Sequence, residues 1–373
     1  MDRNKYGKSK YKGDIKNVVM TCESLRKQEK PIDVTLSEFI QKKWGISMDT
    51  LYLDLGIDTS IDTLENIFTM PDESVRFLVP EIIRDALRLG LRKAPIWRNL
   101  TAAEQTVKQP SVTIPHLNMS DATPKKVGEA ETIQSGTVSF GQKTLKLTKI
   151  GRGIMIPYEV RNYVSINVVS IFLQDFGIKL GHGIDALMID TLLNGEQTDG
   201  SESAPVVGVT TPGALTFADL LRVWIRLSRL GRVPDSIIAG ETTALATLDL
   251  SEFKTNSLGG TQPAAVPSAG NLQLQTPIPT NTRYYIHGSM PADQSMIVDS
   301  TASVIKYNSQ PLLVESEKIV SNQTEASFAT LTTGFGIVFR DARVVVDDSL
   351  NFAGNGFPSY MDVDALEQVS FDD

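Results

Sequence analysis

The sequence predicts an α+β fold, and three stretches carry that prediction. Between Ile166 and Leu193 apolar residues recur every four positions, as on one stripe of a long helix. Val138 and Phe140 alternate with polar neighbours, and so do Leu145 and Leu147, as in strands with one half-buried face. From Leu312 to Asp347 strand formers dominate again, and the run Val344, Val345, Val346 fits burial on both faces. At 373 residues the chain holds two or three units of ordinary domain size.

Along the chain, the stretch to about Met70 mixes polar runs with short amphipathic pieces. Leu36, Phe39 and Ile40 recur at helical spacing, with Thr35 as N-cap and Glu38 three residues on. Leu51, Leu53, Leu55 and Ile57 alternate instead. With few local partners, these apolar groups suit an extended arm packed on something else better than an independent domain. Phe77 to Leu91 reads as a helix, with Pro80 in its first turn and Ile82, Ile83, Ala86, Leu87 and Leu89 to Leu91 on one broad face. Val112 to Pro115 is extended, and residues 116–156 form one long β excursion with Lys146 and Lys149 on its wet side. So few large apolar residues make a two-stranded ribbon marginal alone in water; it needs a neighbouring molecule to lie on. Gly151 and Gly153 read as a turn, since the third glycine and the opening helix of a dinucleotide site are missing.

The spine of the prediction is a helix of about 27 residues, roughly 40 Å long. Its stripe is Val168, Phe172, Phe176, Leu180, Ile184, Met188 and Leu192, with Ile171 and Leu187 beside them; Ser165 or Asn167 caps its start, and Asn194 with Gly195 ends it. Gly177 and Gly181 inside it offer either a bare strip for a close backbone or a pair of kinks. Residues 212–299 read as a compact α/β unit. Thr216 to Asp219 is a capping-box variant, with Leu220, Trp224 and Leu227 on one helix face and Gly231 at its end. Ile237 and Ile238 form a short buried strand, Glu241 to Leu250 a helix, Leu258 to Thr282 a polar loop, and Tyr284 to Ile286 and Met296 to Val298 two further strands. Leu312 to Val320, Phe328 to Leu331 and Gly336 to Asp347 close the chain as strands, followed by an acidic tail.

Composition narrows the function. Cys22 is the only cysteine, which excludes an intrachain disulfide and a cysteine zinc cage. The most apolar long run carries Asp175, Lys179, His182, Asp185 and Asp190, too many polar groups for a membrane span. The net charge of −8 hides an asymmetry: residues 1–30 carry +5 and the remainder −13. An acidic body with a basic start excludes whole-surface nucleic-acid binding, while the start alone suits nucleic acid, an acidic partner or a solvated tail.

No chemical constellation emerges. His116, His182 and His287 fall in a loop, a helix and a strand end with no metal-ligand spacing, and neither a G-x-S-x-G elbow nor a phosphate loop occurs. Asp341, Asp347 and Asp348, like Asp362, Asp364 and Glu367, read as solvated charges. The sequence therefore assigns no catalytic, cofactor or metal residues, and no enzyme activity.

The order of parts carries a resemblance. The run from Gly128, Glu129, Ala130 and Glu131 through Phe140, Leu147, Ile156, Pro157 and Val160 to Leu192 and Gly195 resembles the tailed-bacteriophage major capsid protein family with the Hong Kong 97-type fold. Gly334, Phe335 and Gly336 to Val346 resemble that family's final peripheral strands. The resemblance implies an N-terminal arm (1–74), an extended loop (113–155) and a spine helix (165–194). It also implies a peripheral domain (75–112, 156–211 and 300–350), an axial domain (212–299) and a C-terminal tail (351–373). As function it implies a coat protein that self-assembles through pentamers and hexamers into an icosahedral shell around a double-stranded DNA genome. The virion is its location, the host cytoplasm its place of assembly. Scaffold, portal and decoration proteins are the implied partners, with DNA reached through the basic start and no membrane. Some members join a loop lysine to a neighbour's asparagine, but no motif links Lys125 or Lys126 to Asn351 or Asn355. An encapsulin-like compartment shell is the alternative within the fold, and a hydrolase built on the 258–282 loop the alternative outside it.

Overall fold

A computed structural model describes residues 15–26, 35–69, 78–93, 95–113, 116–117, 129, 138–139, 144–196, 203–254, 266–268, 271–273 and 282–361. The described residues of the N-terminal stretch, 15–26 and 35–69, are largely helical and packed, where an extended arm was expected. Helices run over Ile15–Arg26, Leu36–Trp44, Met48–Leu55 and Leu64–Thr69. Thr35 and Glu38 close the expected capping box. The Leu51, Leu53, Leu55 alternation is helical because Ser47 accepts the Thr50 N–H at one end and Gly56 adopts a left-handed φ of 75° at the other. Only Leu51 and Leu55 of the three are buried. Val18, Leu36, Ile40, Leu51 and Ile67 join one apolar core with the spine helix.

That packing also starts the spine. The helix spans Ile166–Asn194, 29 residues and about 43 Å, and neither Ser165 nor Asn167 caps it through a side chain. Instead the Ile166 and Asn167 N–H groups donate to the carbonyls of Asp62 and Thr59, at 3.0 and 3.1 Å. Two of the four donors that a helix start leaves open are thereby satisfied by the N-terminal segment. Gly195, with φ of 80°, ends the helix as expected.

The buried face of the spine differs from the predicted stripe. Ile166, Val169, Leu173, Phe176, Leu180, Ile184, Met188 and Leu192 are buried, while Phe172 is 67% exposed and Val168 41%. The reason is geometric. Each step of four residues overshoots a full turn by about 40°, so the predicted stripe winds about 240° around the helix between Val168 and Leu192. A mixture of three- and four-residue steps keeps to the core.

The helix Leu78–Lys93 lies along the spine in very close approach. A Cβ on Gly177 would lie 2.1 Å from the Leu87 carbonyl oxygen, and one on Gly90 would lie 2.0 Å from that of Gln174. Of the two glycines expected to form a bare strip, Gly177 is required; Gly181 would meet nothing closer than 3.7 Å.

Two sheets complete the body. The first has the order Ala103–Thr106, Val304–Ile319, Thr324–Ile337, Thr148–Pro157, with a long antiparallel hairpin at its centre. Gly151 and Gly153 lie inside its edge strand rather than in a turn. Gly153 stands opposite Phe328, whose ring would be 2.7 Å from an added Cβ. Ser111–Thr113 pairs with Thr144–Lys146, and His116–Leu117 with Val138–Ser139. Leu145 and Leu147 pack with Tyr307; residues 118–128, 130–137 and 140–143 of the expected ribbon, with Phe140, Lys125 and Lys126, lie outside the described residues.

The second sheet has the order Arg283–Ile286, Ser236–Ala239, Gln294–Val298, Arg343–Asn351, Val206–Val209. The 212–299 unit thus builds its sheet with two strands from outside that range. Its helix Phe217–Arg229 carries the expected capping box, and Gly231 follows with φ of 76°. The strand expected over Gly336 to Asp347 is interrupted: a single 3-10 turn at Arg340–Ala342 separates the two sheets. There Asp341 receives two hydrogen bonds from Arg232, at 2.9 and 3.1 Å. Most of the 258–282 loop and the tail beyond Met361 lie outside the described residues.

Candidate functional site

The spine helix has two contrasting halves. From Phe176 onward its apolar residues are buried or half-buried, but Val168, Ile171 and Phe172 share an outward face, with Ile171 64% exposed. Positions i, i+3 and i+4 adjoin on a helix, so these three form one apolar surface. Just before the helix, Tyr163 is 83% exposed. On the first sheet, Met155 and Phe328 are exposed, and the strand register puts them on the same face. Val320 stands exposed at the tip of the long hairpin. Single exposed apolar residues are normal, whereas grouped ones mark surfaces meant to be covered.

The scaffold beneath these surfaces is tied by buried polar groups. Arg161 bridges Glu65 of the N-terminal stretch at 2.7 Å and Glu325 of the hairpin at 3.4 Å. Asp219 accepts from the backbone and hydroxyl groups of both Thr210 and Thr216. Burial pushes its carboxyl up, but those hydrogen bonds outweigh burial and hold it below the usual range. Of the sequence's carboxylate group, Asp341 pairs with Arg232. Burial raises Asp348, and the neighbouring carboxylates of Asp293, Asp347 and Asp219 raise it further.

The histidines are arranged differently from their sequence positions. His182 on the spine and His287 after strand Arg283–Ile286 meet, with ring centroids 5.6 Å apart. Asp185, one helical turn from His182, completes the group: one ligand atom of each residue lies within 4.8 Å of the others. Asp185 is fully buried and accepts the N–H groups of Trp97 at 3.0 Å and Ile96 at 3.2 Å, securing the short helix Trp97–Leu100. Burial raises its carboxyl to about 7, opposed by those two N–H groups and by Lys306. Burial lowers the His287 imidazole, and the neighbouring His182 lowers it further. The side chain of His116 lies outside the described residues. Among the described residues no helix is long and apolar enough to cross a membrane.

No family model matches the sequence, and no curated protein matches it. Several solved structures are similar to the chain at low identity. A virus-like particle from Pyrococcus furiosus is 11% identical, with a TM-score of 0.48 over 72% of this chain and 98% of that one. The capsid of the cyanophage P-SCSP1u is 12% identical, with a TM-score of 0.47 over 69% and 89%. The holo-SrpI encapsulin of Synechococcus elongatus PCC 7942 is 13% identical, with a TM-score of 0.47 over 69% and 88%.

Proposed function

We propose that the chain is a shell subunit, and more narrowly the major capsid protein of a tailed bacteriophage enclosing double-stranded DNA. The outward apolar face of the spine carries the reading. A helix this long that buries one half and offers Val168, Ile171 and Phe172 outward needs a partner surface for the other. The occupant is a second copy of the chain, because repeated identical contacts are how closed symmetric assemblies cover such faces. The few large apolar residues between His116 and Ile156 suit a ribbon that lies across a neighbour. The role is structural: the chain contributes surfaces rather than a reacting group. Pentamers and hexamers of the chain form the shell, in the virion, after assembly in the host cytoplasm. Scaffold, portal and decoration proteins are its further partners.

The basic first 30 residues favour a genome-enclosing shell over an encapsulin-like compartment, since +5 against a body of −13 suits an anionic content. Electron microscopy of the chain expressed with its phage scaffold tests the reading. Closed shells, or rings of five or six, are expected, and particles from infected cells protect DNA from nuclease. Monomers under all conditions overturn the shell, while protein-filled shells without nucleic acid overturn the genome-enclosing role.

A further inference from the structure

We propose that His182, Asp185 and His287 form a binding site for a transition-metal dication, Zn²⁺ or a similar ion, that fastens the spine helix to the five-stranded sheet.

The donor set suits such an ion. Imidazole and carboxylate together bind zinc, and three protein ligands with one water complete a tetrahedral site. The geometry is near to closed. Two imidazoles on one tetrahedral ion, with bonds of about 2.0–2.1 Å, put their ring centroids about 5 Å apart; here they are 5.6 Å apart. Donor atoms on such an ion lie about 3.3 Å apart, against a present spread within 4.8 Å. His182 is exposed, so its side chain is free to turn inward and close that difference.

The surroundings point the same way. His287 Nε2 is buried and makes no hydrogen bond among the described residues. A buried orphan of this kind calls for an ion or a water. The other ring nitrogen, Nδ1, accepts the Ser289 N–H at 3.1 Å. Metal binding at Nε2 moves the ring proton to Nδ1 and gives up that hydrogen bond, which lies in an exposed turn. Asp185 is pre-set by the Ile96 and Trp97 N–H groups, and each carboxylate oxygen keeps a second lone pair for an ion. The choice between ion classes follows from charge and ligand number. Calcium needs six or more oxygens, whereas this site offers one carboxylate, with the Lys306 charge acting on it. Two imidazole nitrogens suit zinc and its neighbours rather than calcium.

The consequence is mechanical. His182 and Asp185 belong to the spine, and His287 follows the edge strand Arg283–Ile286. A bound ion therefore pins one sheet to the helix that the other sheet packs on. The site lies within a single subunit and stands or falls independently of shell assembly.

The test uses the full chain stripped with a chelator and titrated with Co²⁺ as a spectroscopic probe, then with Zn²⁺. One equivalent of Co²⁺ per chain with visible ligand-field absorption is expected, together with a rise in unfolding temperature on adding Zn²⁺. His182→Gln and His287→Gln each lower the Co²⁺ affinity about a hundredfold or more, with the metal-free unfolding temperature little changed. Because His182 is exposed, its variant stays folded and carries the test even if His287→Gln does not. Absence of saturable binding, or binding by His182→Gln equal to that of the natural chain, overturns the proposal.

Discussion

Leu173 and Phe172 are neighbours on the spine with opposite fates: Leu173 is 1% exposed and faces the core, while Phe172 faces out. Truncating the first removes apolar contacts and leaves a cavity; truncating the second removes little from the isolated subunit. Leu173→Ala is expected to lose about 2–5 kcal/mol of unfolding free energy, and Phe172→Ala less than about 0.5 kcal/mol. Urea unfolding of unassembled subunits measures both, and equal losses contradict the assignment of faces. A second residue-scale prediction concerns Glu38. The Arg92 guanidinium at 2.7 Å holds its carboxyl down to about 2, against an ordinary 4.5, with burial opposing and Thr35 assisting. A carboxyl lowered in the folded state adds stability above its unfolded value, and that stability fades as pH falls from 4.5 toward 2. Glu38→Gln keeps an acceptor for the Thr35 N–H but loses the charge. Its unfolding midpoint is expected to lie below that of the natural chain near neutral pH and to converge with it in acid. A gap that persists unchanged at about pH 2 contradicts the ion pair's part.

Elements show why some of this was legible in the sequence and some was not. The ends of helices Leu36–Trp44 and Phe217–Arg229 were legible because capping is local: Thr35 with Glu38, and Thr216 with Asp219, carry their own instructions. The spine was legible as a helix but not in its facing, since stepping by fours hides a winding that only packing resolves. Gly151 and Gly153 looked like a turn because their reason lies elsewhere in the chain, in the Phe328 ring that crosses Gly153. The leucine alternation near Leu51 mimicked a strand until Ser47 and Gly56 bounded it as a helix. No sequence spacing announces the meeting of His182 and His287, because it arises when strand Arg283–Ile286 comes to rest against the spine. Gly177 gives the test at this scale. Alanine in an exposed helix gains about 1 kcal/mol over glycine, but here its Cβ would lie 2.1 Å from the Leu87 carbonyl. Gly177→Ala is expected to destabilise the subunit by about 1–3 kcal/mol. A thermal melt showing stabilisation contradicts the close helix approach.

At the scale of the whole molecule, the described N-terminal stretch is part of the body. Its Asp62 and Thr59 carbonyls hold the start of the spine, and Val18 and Leu36 enter the main core. Removing residues 2–69 therefore exposes that core and opens the helix start. That deletion is expected to be insoluble, and a product as stable as the natural chain contradicts this packing. The face of Val168, Ile171 and Phe172 remains outward, and the shell reading rests on it. Sedimentation velocity, comparing the natural chain with Phe172→Asp under assembly conditions, tests that reading most directly. The natural chain is expected to sediment as large closed particles, and the variant as folded small species with an unchanged circular dichroism spectrum. Particles of the same size from both chains would contradict the assignment of this face to assembly.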